Sequence, residues 1–413
     1  MPNISHLYKH FKKYGLKNQP LYLVSLMIFF WVLFDGIISF ISPLVITEMG
    51  LSETMMGIII GSSSVAGALF DFILCRILSN TNFRRIYLFM LAISCFYPLI
   101  LWQAKTIWIY LIAMALWGLY YDFYHIATFD FVSREIEDEH SSGFGVLSAF
   151  SSLGYLIAPI IAGLLIGTTV NFKPFIMAWI FLSIAIVFYL LVVLLTAKNN
   201  RHVQQACYHP LNFMKEYRLW KKIGKLIFPI LFLTFILNIN DAFFWTIGPL
   251  LSEELSEMHG LGSLFMVAYT LPALIVGWFI GGITKKFGQK KTAFYSLFLG
   301  SLILSTLFLV KEPIILIAIN FIASFFISLA WPAINGAYSD YISETPHLGK
   351  EIETLQDSFA NIGYVVGPIA AGFLGDHLGH TATFSILGLV GAITAFALLK
   401  VTPSKINIKF ARR

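Results

Sequence analysis

The sequence predicts an all-α membrane protein whose twelve transmembrane helices form two pseudo-symmetric six-helix bundles. Composition, the spacing of apolar stretches and an internal repeat carry that prediction. Of the 413 residues, 58% are apolar and 12% charged, and that charged share is about half of what soluble globular proteins carry. Aromatic residues reach 16%, including 39 Phe, and the mean hydropathy is +0.78. Such a chain needs lipid as its main solvent. The composition therefore excludes a soluble enzyme, a disordered chain and a disulfide-stapled secreted domain. The three cysteines, Cys75, Cys95 and Cys207, show no metal or redox spacing, and Cys75 and Cys95 read as small apolar membrane residues.

Twelve apolar stretches run at about 21–47, 54–78, 86–104, 107–132, 144–167, 174–196, 226–251, 262–283, 292–310, 313–338, 358–375 and 381–399. Each has about 18–27 residues, enough for a helix to cross a hydrocarbon layer of about 30 Å. Helices satisfy their own backbone hydrogen bonds in lipid, and the alternating pattern of a transmembrane barrel is absent. The first span is too long for a signal-peptide core and is expected to be retained. An even number of spans puts both termini on one side. Of the 28 Lys and Arg, 25 fall on that side, and only Lys105, Lys173 and Lys311 fall on the other. The basic side, with both termini, is therefore expected to be cytoplasmic, and the net charge of +6 reads as an orientation signal rather than a nucleic-acid footprint.

The expected organisation is a cytoplasmic N-terminus (1–20), an N-terminal bundle (21–196), a cytoplasmic linker (197–225), a C-terminal bundle (226–399) and a cytoplasmic tail (400–413). The end of the linker, Leu211 to Lys225, mixes apolar and basic residues. It reads as an amphipathic surface helix or as a solvated linker. The acidic 4–5 loop, with Glu135, Glu137, Asp138 and Glu139, reads as a solvated charge run or as a partner of the basic 2–3 loop.

The halves resemble each other. Ser152 to Gly163 in span 5 (SLGYLIAPIIAG) aligns with Asn361 to Gly372 in span 11 (NIGYVVGPIAAG) at an offset of 209. Asp35 precedes Pro43 by eight residues, as Asp241 precedes Pro249, at an offset of 206. The expectation is two homologous bundles with a cavity at their interface near the bilayer midplane.

Twelve spans as six plus six, a long 6–7 linker and this repeat resemble the major facilitator superfamily. Pro43 to Gly57 is similar to that family's helix 1–2 junction. Its helix 2–3 loop motif survives in altered form as Gly67-Ala-Leu-Phe-Asp71, with Arg84 and Arg85 arriving late. A second copy runs from Gly281 to Lys291, with Lys285 where Asp is usual. Span 5, with Gly145, Gly154, Ala158, Pro159, Ala162 and Gly163, is similar to the signature helix of the family's proton-coupled exporters. The exporters' span 4 arginine is missing, since Gly118 to Asp130 contains no Arg. The resemblance implies alternating access, with spans 1, 4, 7 and 10 around a central cavity.

Ionisable side chains deep in a bilayer are costly unless they face a cavity or a partner. The deep ones are Asp35 in span 1, Asp122 and His125 in span 4, and Asp241 in span 7, so they fall on three of those four spans. Asp35 and Asp241 read as proton-coupling or substrate-binding groups, or as structural carboxyls bonded across helices. Asp122 and His125, three residues apart, share a helix face and read as a proton relay or as satisfied polar residues. Asn238, Asn240, Trp331, Asn335, Tyr121 and Trp245 are candidate substrate contacts, with packing as the alternative for each. Asp71 reads as a gating element. Gly154, Pro159, Gly163, Gly363, Pro368 and Gly372 read as close-packing positions that let helices slide.

No catalytic set, phosphate-cradling loop or metal cluster is visible, so no enzyme activity, cofactor or metal is expected. The expected partners are a small-molecule substrate, protons and the bilayer, with no nucleic acid. The residues are silent on oligomeric state. A cavity lined by carboxyls and one imidazole favours cationic or neutral amphipathic substrates. The expected function is proton-coupled efflux across the cell membrane. The alternative is proton symport of a neutral solute such as a sugar or nucleoside. A channel or a non-transporting receptor is a third reading.

Overall fold

The structure is a computed structural model that describes residues 19–77, 81–135, 140–167, 169–196, 213–277, 279–345, 348–399 and 401. Side chains at 71–77, 133–135, 140–142, 196, 213–217 and 350 also lie outside the description. The terminus 1–18, linker residues 197–212, the loop residues Glu137, Asp138 and Glu139, the tail 402–413 and the Asp71 side chain therefore fall outside the described residues.

Helices account for nearly everything described. They are α1 (Gln19–Glu48), α2 (Glu53–Ile77), α3 (Phe83–Gln103), α4 (Ile107–Glu135), α5 (His140–Leu165) and α6 (Phe172–Thr196). After the linker come α7 (Phe213–Met258), α8 (Leu264–Val276), α9 (Ile280–Phe287), α10 (Gln289–Leu304), α11 (Pro313–Glu344), α12 (Gly349–Leu378) and α13 (His380–Leu399). Eleven are long and apolar enough to span a membrane, and α8 with α9, bent by 68°, makes a twelfth if taken as one span. The stretch 262–283 reads as a single span in the sequence. The structure breaks it beside Gly277, the C-cap of α8, where a residue without a side chain holds helix poorly.

Local chemistry sets several boundaries. Asn82 caps α3 by accepting the Arg84 N–H at 3.3 Å, and Pro313 starts α11 where a missing N–H costs nothing. Gly288, at φ 85° and ψ 149°, makes the turn between α9 and α10, a backbone region essentially closed to other residues. The linker's end is helical. Helix α7 begins at Phe213 and runs unbroken for 46 residues, roughly 69 Å at 1.5 Å per residue, so its first turns extend beyond any bilayer core.

The helices cluster into two compact units. Unit 1 comprises Met1–Ile41 and Ala66–Cys207, and unit 2 comprises Ser42–Val65 and Tyr208–Arg413. Within unit 1, fully buried Trp31 stacks on Tyr124 at 4.8 Å and donates its indole N–H to Ser94 at 3.0 Å. Within unit 2, Phe244 stacks on Tyr269 at 3.9 Å and meets Phe384 at 4.7 Å.

The internal repeat returns as a repeated packing scheme. A Cβ on Gly154 would lie 2.8 Å from a Val32 methyl and 3.1 Å from the Phe29 carbonyl oxygen. A Cβ on Gly363 would lie 2.8 Å from Asn238 Cβ and 2.9 Å from the Phe235 carbonyl oxygen. Val32 and Asn238, like Phe29 and Phe235, are related by the 206-residue offset. The next contact repeats with its roles exchanged. Gly36 approaches Ala158, and Gly367 approaches Ala242, each with a prospective Cβ 2.6 Å away. Helix pairs α1–α5 and α7–α12 thus approach closely through equivalent small residues, as helices in lipid do. Gly372 packs against the Glu53–Thr54 backbone, and Gly163 is half-buried in α5.

Candidate functional site

Close approach of α1 and α5 brings Asp35 beside Tyr155. Asp35 is fully buried in unit 1, and four neutral donors fill its carboxylate. Oδ1 accepts the Tyr120 hydroxyl at 2.5 Å and the Trp117 indole N–H at 3.3 Å. Oδ2 accepts the Tyr121 hydroxyl at 2.9 Å and the Tyr155 hydroxyl at 3.0 Å. The Tyr121 and Tyr155 hydroxyls also touch each other. An ionised carboxylate has about four acceptor sites, and here each one has a donor.

Unit 2 repeats the arrangement around Asp241. Its Oδ2 accepts the Tyr364 hydroxyl at 2.6 Å, and its Oδ1 accepts the Tyr269 hydroxyl. Trp245, one turn further along α7, also bonds to it. Tyr364 is the repeat partner of Tyr155 at the 209-residue offset, so one Asp–Tyr pair occurs twice. In both copies a proline stands four residues after the tyrosine, Pro159 and Pro368. A proline has no N–H to return to the carbonyl four residues back. Each carboxylate-binding tyrosine therefore sits at a turn that lacks the usual helical N–H from four residues on, where the helix is easier to bend.

This arrangement constrains the chemistry. A carboxylate only accepts, whereas a protonated carboxyl must donate one bond. Proton uptake at Asp35 therefore obliges one of its tyrosine hydroxyls to accept from the carboxyl instead of donating to it. Hydrogen-bond counting thus couples protonation to the direction of one tyrosine hydrogen bond.

Trp117, Tyr120, Tyr155, Tyr269 and Tyr364 were not among the residues the sequence nominated. Two signals point to them. Trp117, Tyr120, Tyr121, Tyr124 and His125 recur at helical spacing, one aromatic face of α4. Tyr155 and Tyr364 are matched positions of the repeat.

The other nominated residues scatter. The Asp122 carboxylate lies against Gly67 of α2, 3.3 Å from where a Cβ there would stand. His125, three residues on, is exposed, and its ring is 5.1 Å from that of Tyr124. Asn238 is buried, and its amide donates to the Thr234 carbonyl of its own helix at 2.7 Å. Asn240 is also buried, and its Oδ1 has no hydrogen-bond partner among the described residues. Asn335 is exposed on α11 and accepts from Gln356 of α12 at 3.1 Å. Trp331 is half-buried on α11. Asp71 lies in α2, where the description gives the backbone only.

Comparison with known proteins agrees with this fold. The family model described as Major Facilitator Superfamily matches residues 24–226 and 230–411. A solved nucleoside transporter, NupG in its D323A form, superposes with TM-score 0.73 at 12% identity, covering 93% of this chain and 98% of that one. A bacterial homologue of the human lysosomal transporter Spinster, described as inward-facing and unoccupied, gives 0.72 at 13% identity, with 94% and 97% covered. A POT family transporter in complex with a thioalcohol-conjugated peptide gives 0.69 at 14% identity, with 93% and 96% covered. No curated protein matches by sequence. With its two six-span halves both matched by the family model, the chain belongs to the major facilitator superfamily and is an integral membrane transporter.

Proposed function

We propose that this transporter is proton-coupled and expels a cationic or neutral amphipathic small molecule, with Asp35 and Asp241 as its coupling groups. The observation that carries the reading is the duplicated Asp–Tyr site, in which a buried carboxyl is held by neutral donors and a tyrosine hydroxyl can reverse its hydrogen bond when the carboxyl takes up a proton. In the protonated state Asp35 donates to one tyrosine oxygen, whose own hydroxyl proton turns elsewhere, and the other three donors stay. In the ionised state it recaptures all four donors. Substrate contacts come from Tyr121 and Trp245, which already bond the two carboxyls, and from Asn240, Trp331 and Asn335. Asn238 contributes less, because its amide is committed to Thr234. Asp122 and His125 act as a proton relay, and Asp71 serves in gating.

The functional halves are 21–196 and 226–399, flanked by cytoplasmic segments 1–20, 197–225 and 400–413. The Lys and Arg asymmetry supports insertion in the cell membrane with both termini cytoplasmic. Proton-linked uptake of a neutral solute is the second reading, favoured by the neutral character of every donor around Asp35. The test is transport in proteoliposomes with an imposed pH gradient, using lipophilic cations in one series and nucleosides and sugars in the other. Efflux coupling predicts that cations move against the proton flow. Accumulation of a nucleoside or sugar along with protons would replace this reading with symport.

A further inference from the structure

Apart from the two Asp–Tyr sites, unit 2 holds a second set of titratable groups. Helix α2 begins at Glu53, and its start is seated on the end of α12. Asp376 Oδ1 accepts the Glu53 backbone N–H at 2.8 Å. Asp376 Oδ2 accepts the Thr54 N–H at 2.8 Å and the Thr54 hydroxyl at 2.5 Å. The Ser52 hydroxyl accepts from Met55 N–H at 3.2 Å. The first orphan N–H groups of α2 thus find a cap carried by another helix. Gly57, Gly372 and Gly375 permit this seating, since a side chain at any of them would run into the facing helix or into Glu53.

His380, the first residue of α13, closes the set. Its Nε2 is 2.9 Å from Glu53 Oε1, and its Nδ1 is 2.9 Å from Glu254 Oε2. The imidazole and Glu53 side chains are 17% and 21% exposed, and Glu254 is 55% exposed. A neutral imidazole has one N–H and one lone pair. With two carboxylates at hydrogen-bond distance, one contact would then set a lone pair against an anionic oxygen. The geometry is satisfied when the three groups hold one extra proton, either as imidazolium or as a carboxyl. Glu53 Oε2 is buried without a hydrogen-bond partner among the described residues, which adds to the cost of leaving Glu53 ionised beside a neutral ring.

The surrounding charged groups do not supply that proton's role. On α12, Asp376 is occupied with the α2 N-terminus, and the His377 Nδ1 lies 2.8 Å from the Phe373 carbonyl oxygen. On α7, Glu253 lies within electrostatic reach of Glu257 and of Glu48 on α1, which adds negative charge at this end of the unit. Without a proton, Glu53 and Glu254 repel across a neutral ring.

We propose that Glu53, Glu254 and His380 form a proton-binding site that latches the start of α2 onto α12 and α13. Proton release from the site unlatches it. The three residues flank the 1–2, 7–8 and 11–12 connections, opposite the basic loops, so in the orientation proposed above the site reads the outer compartment. Binding of a proton and seating of α2 are linked, and each strengthens the other by the same factor. For one proton, the ratio of latched to unlatched forms changes by at most about tenfold per pH unit.

The test uses the full chain in lipid nanodiscs, with its three cysteines replaced by serine. Spin labels are placed at Met49→Cys and Leu378→Cys, both half-exposed surface positions. Distances are read by pulsed electron resonance from about pH 5 to 11, a range that spans the ordinary imidazole titration and the higher pH at which a proton shared with two carboxylates is released. The short-distance population should dominate at low pH and fall as pH rises. His380→Gln should abolish the pH dependence, and Glu254→Gln, at an exposed position that tolerates substitution, should flatten it. Distances independent of pH in the parent chain would overturn the latch. An undiminished pH dependence in either variant would also overturn it. Asp35→Asn and Asp241→Asn should leave the pH-dependent distance intact, which separates failure of the latch from failure of the coupling assignment.

Discussion

Removing one hydroxyl from the Asp35 site gives a quantitative test of its charge state. Tyr120→Phe deletes the shortest of the four bonds, at 2.5 Å, and leaves Oδ1 with only the Trp117 N–H at 3.3 Å. Hydrogen bonds to charged groups contribute about 1.5–3 kcal/mol, whereas interhelical hydrogen bonds in membrane proteins average about 0.6 kcal/mol. Asp35 is wholly buried, so water cannot replace the lost donor and the upper range applies. The expected loss at about pH 8 is ~2 kcal/mol, roughly a 30-fold change in the unfolding equilibrium. A double-mutant cycle with Asp35→Leu, similar in shape and without polar atoms, isolates the pair from repacking. Reversible unfolding in mixed micelles titrated with dodecyl sulfate supplies the four stabilities. Lowering the pH until Asp35 takes up a proton should shrink the coupling towards ~0.6 kcal/mol, because the charge that strengthens the bond is lost. A coupling of ~0.6 kcal/mol or less at pH 8 would refute the picture of an ionised carboxylate held by the four donors.

Three further outcomes follow from the packing. Gly154→Ala and Gly363→Ala should each cost ~1–3 kcal/mol by overpacking and lower the melting temperature alike, since both glycines meet equivalent backbone carbonyls; a neutral effect at one of them would break the repeat. Asp376→Ala should cost ~0.5–2 kcal/mol as a lost helix cap and speed hydrogen exchange at the Glu53 and Thr54 amides, with unchanged exchange counting against the cap. Gly288→Ala should cost ~1–3 kcal/mol, because its backbone lies in a region closed to side chains; thermal unfolding would expose the error if the variant matched the parent.

Much of this was legible in the residues because lipid imposes a simple rule. A helix must be about twenty apolar residues long, and a charge within it must be accounted for. That rule found Asp35 and Asp241, and the repeat tied them together. Tyr155 and Tyr364 were visible as matched positions of the same repeat but were not nominated, since a tyrosine in an aromatic-rich chain carries no mark of its partner. Tyr120, Trp117 and Tyr269 reach the carboxyls from other helices, so only the fold brings them there. Asp122 beside Gly67 and His125 beside Tyr124 are contacts that helical spacing alone does not announce. Glu53 and His380 are separated by 327 residues, and no local pattern announces a contact of that kind. The break in 262–283 was hidden because hydropathy measures length and greasiness, not straightness.

Asp35 and Asp241 stand or fall as coupling groups on a comparison of two transport modes in the same vesicles. Substrate counterflow requires only that the carrier alternate, whereas uphill movement under an imposed pH gradient also requires proton exchange. With Asp35→Asn and Asp241→Asn, counterflow should persist while gradient-driven transport disappears. Gradient-driven transport that survives both substitutions at the parent rate would contradict the assignment.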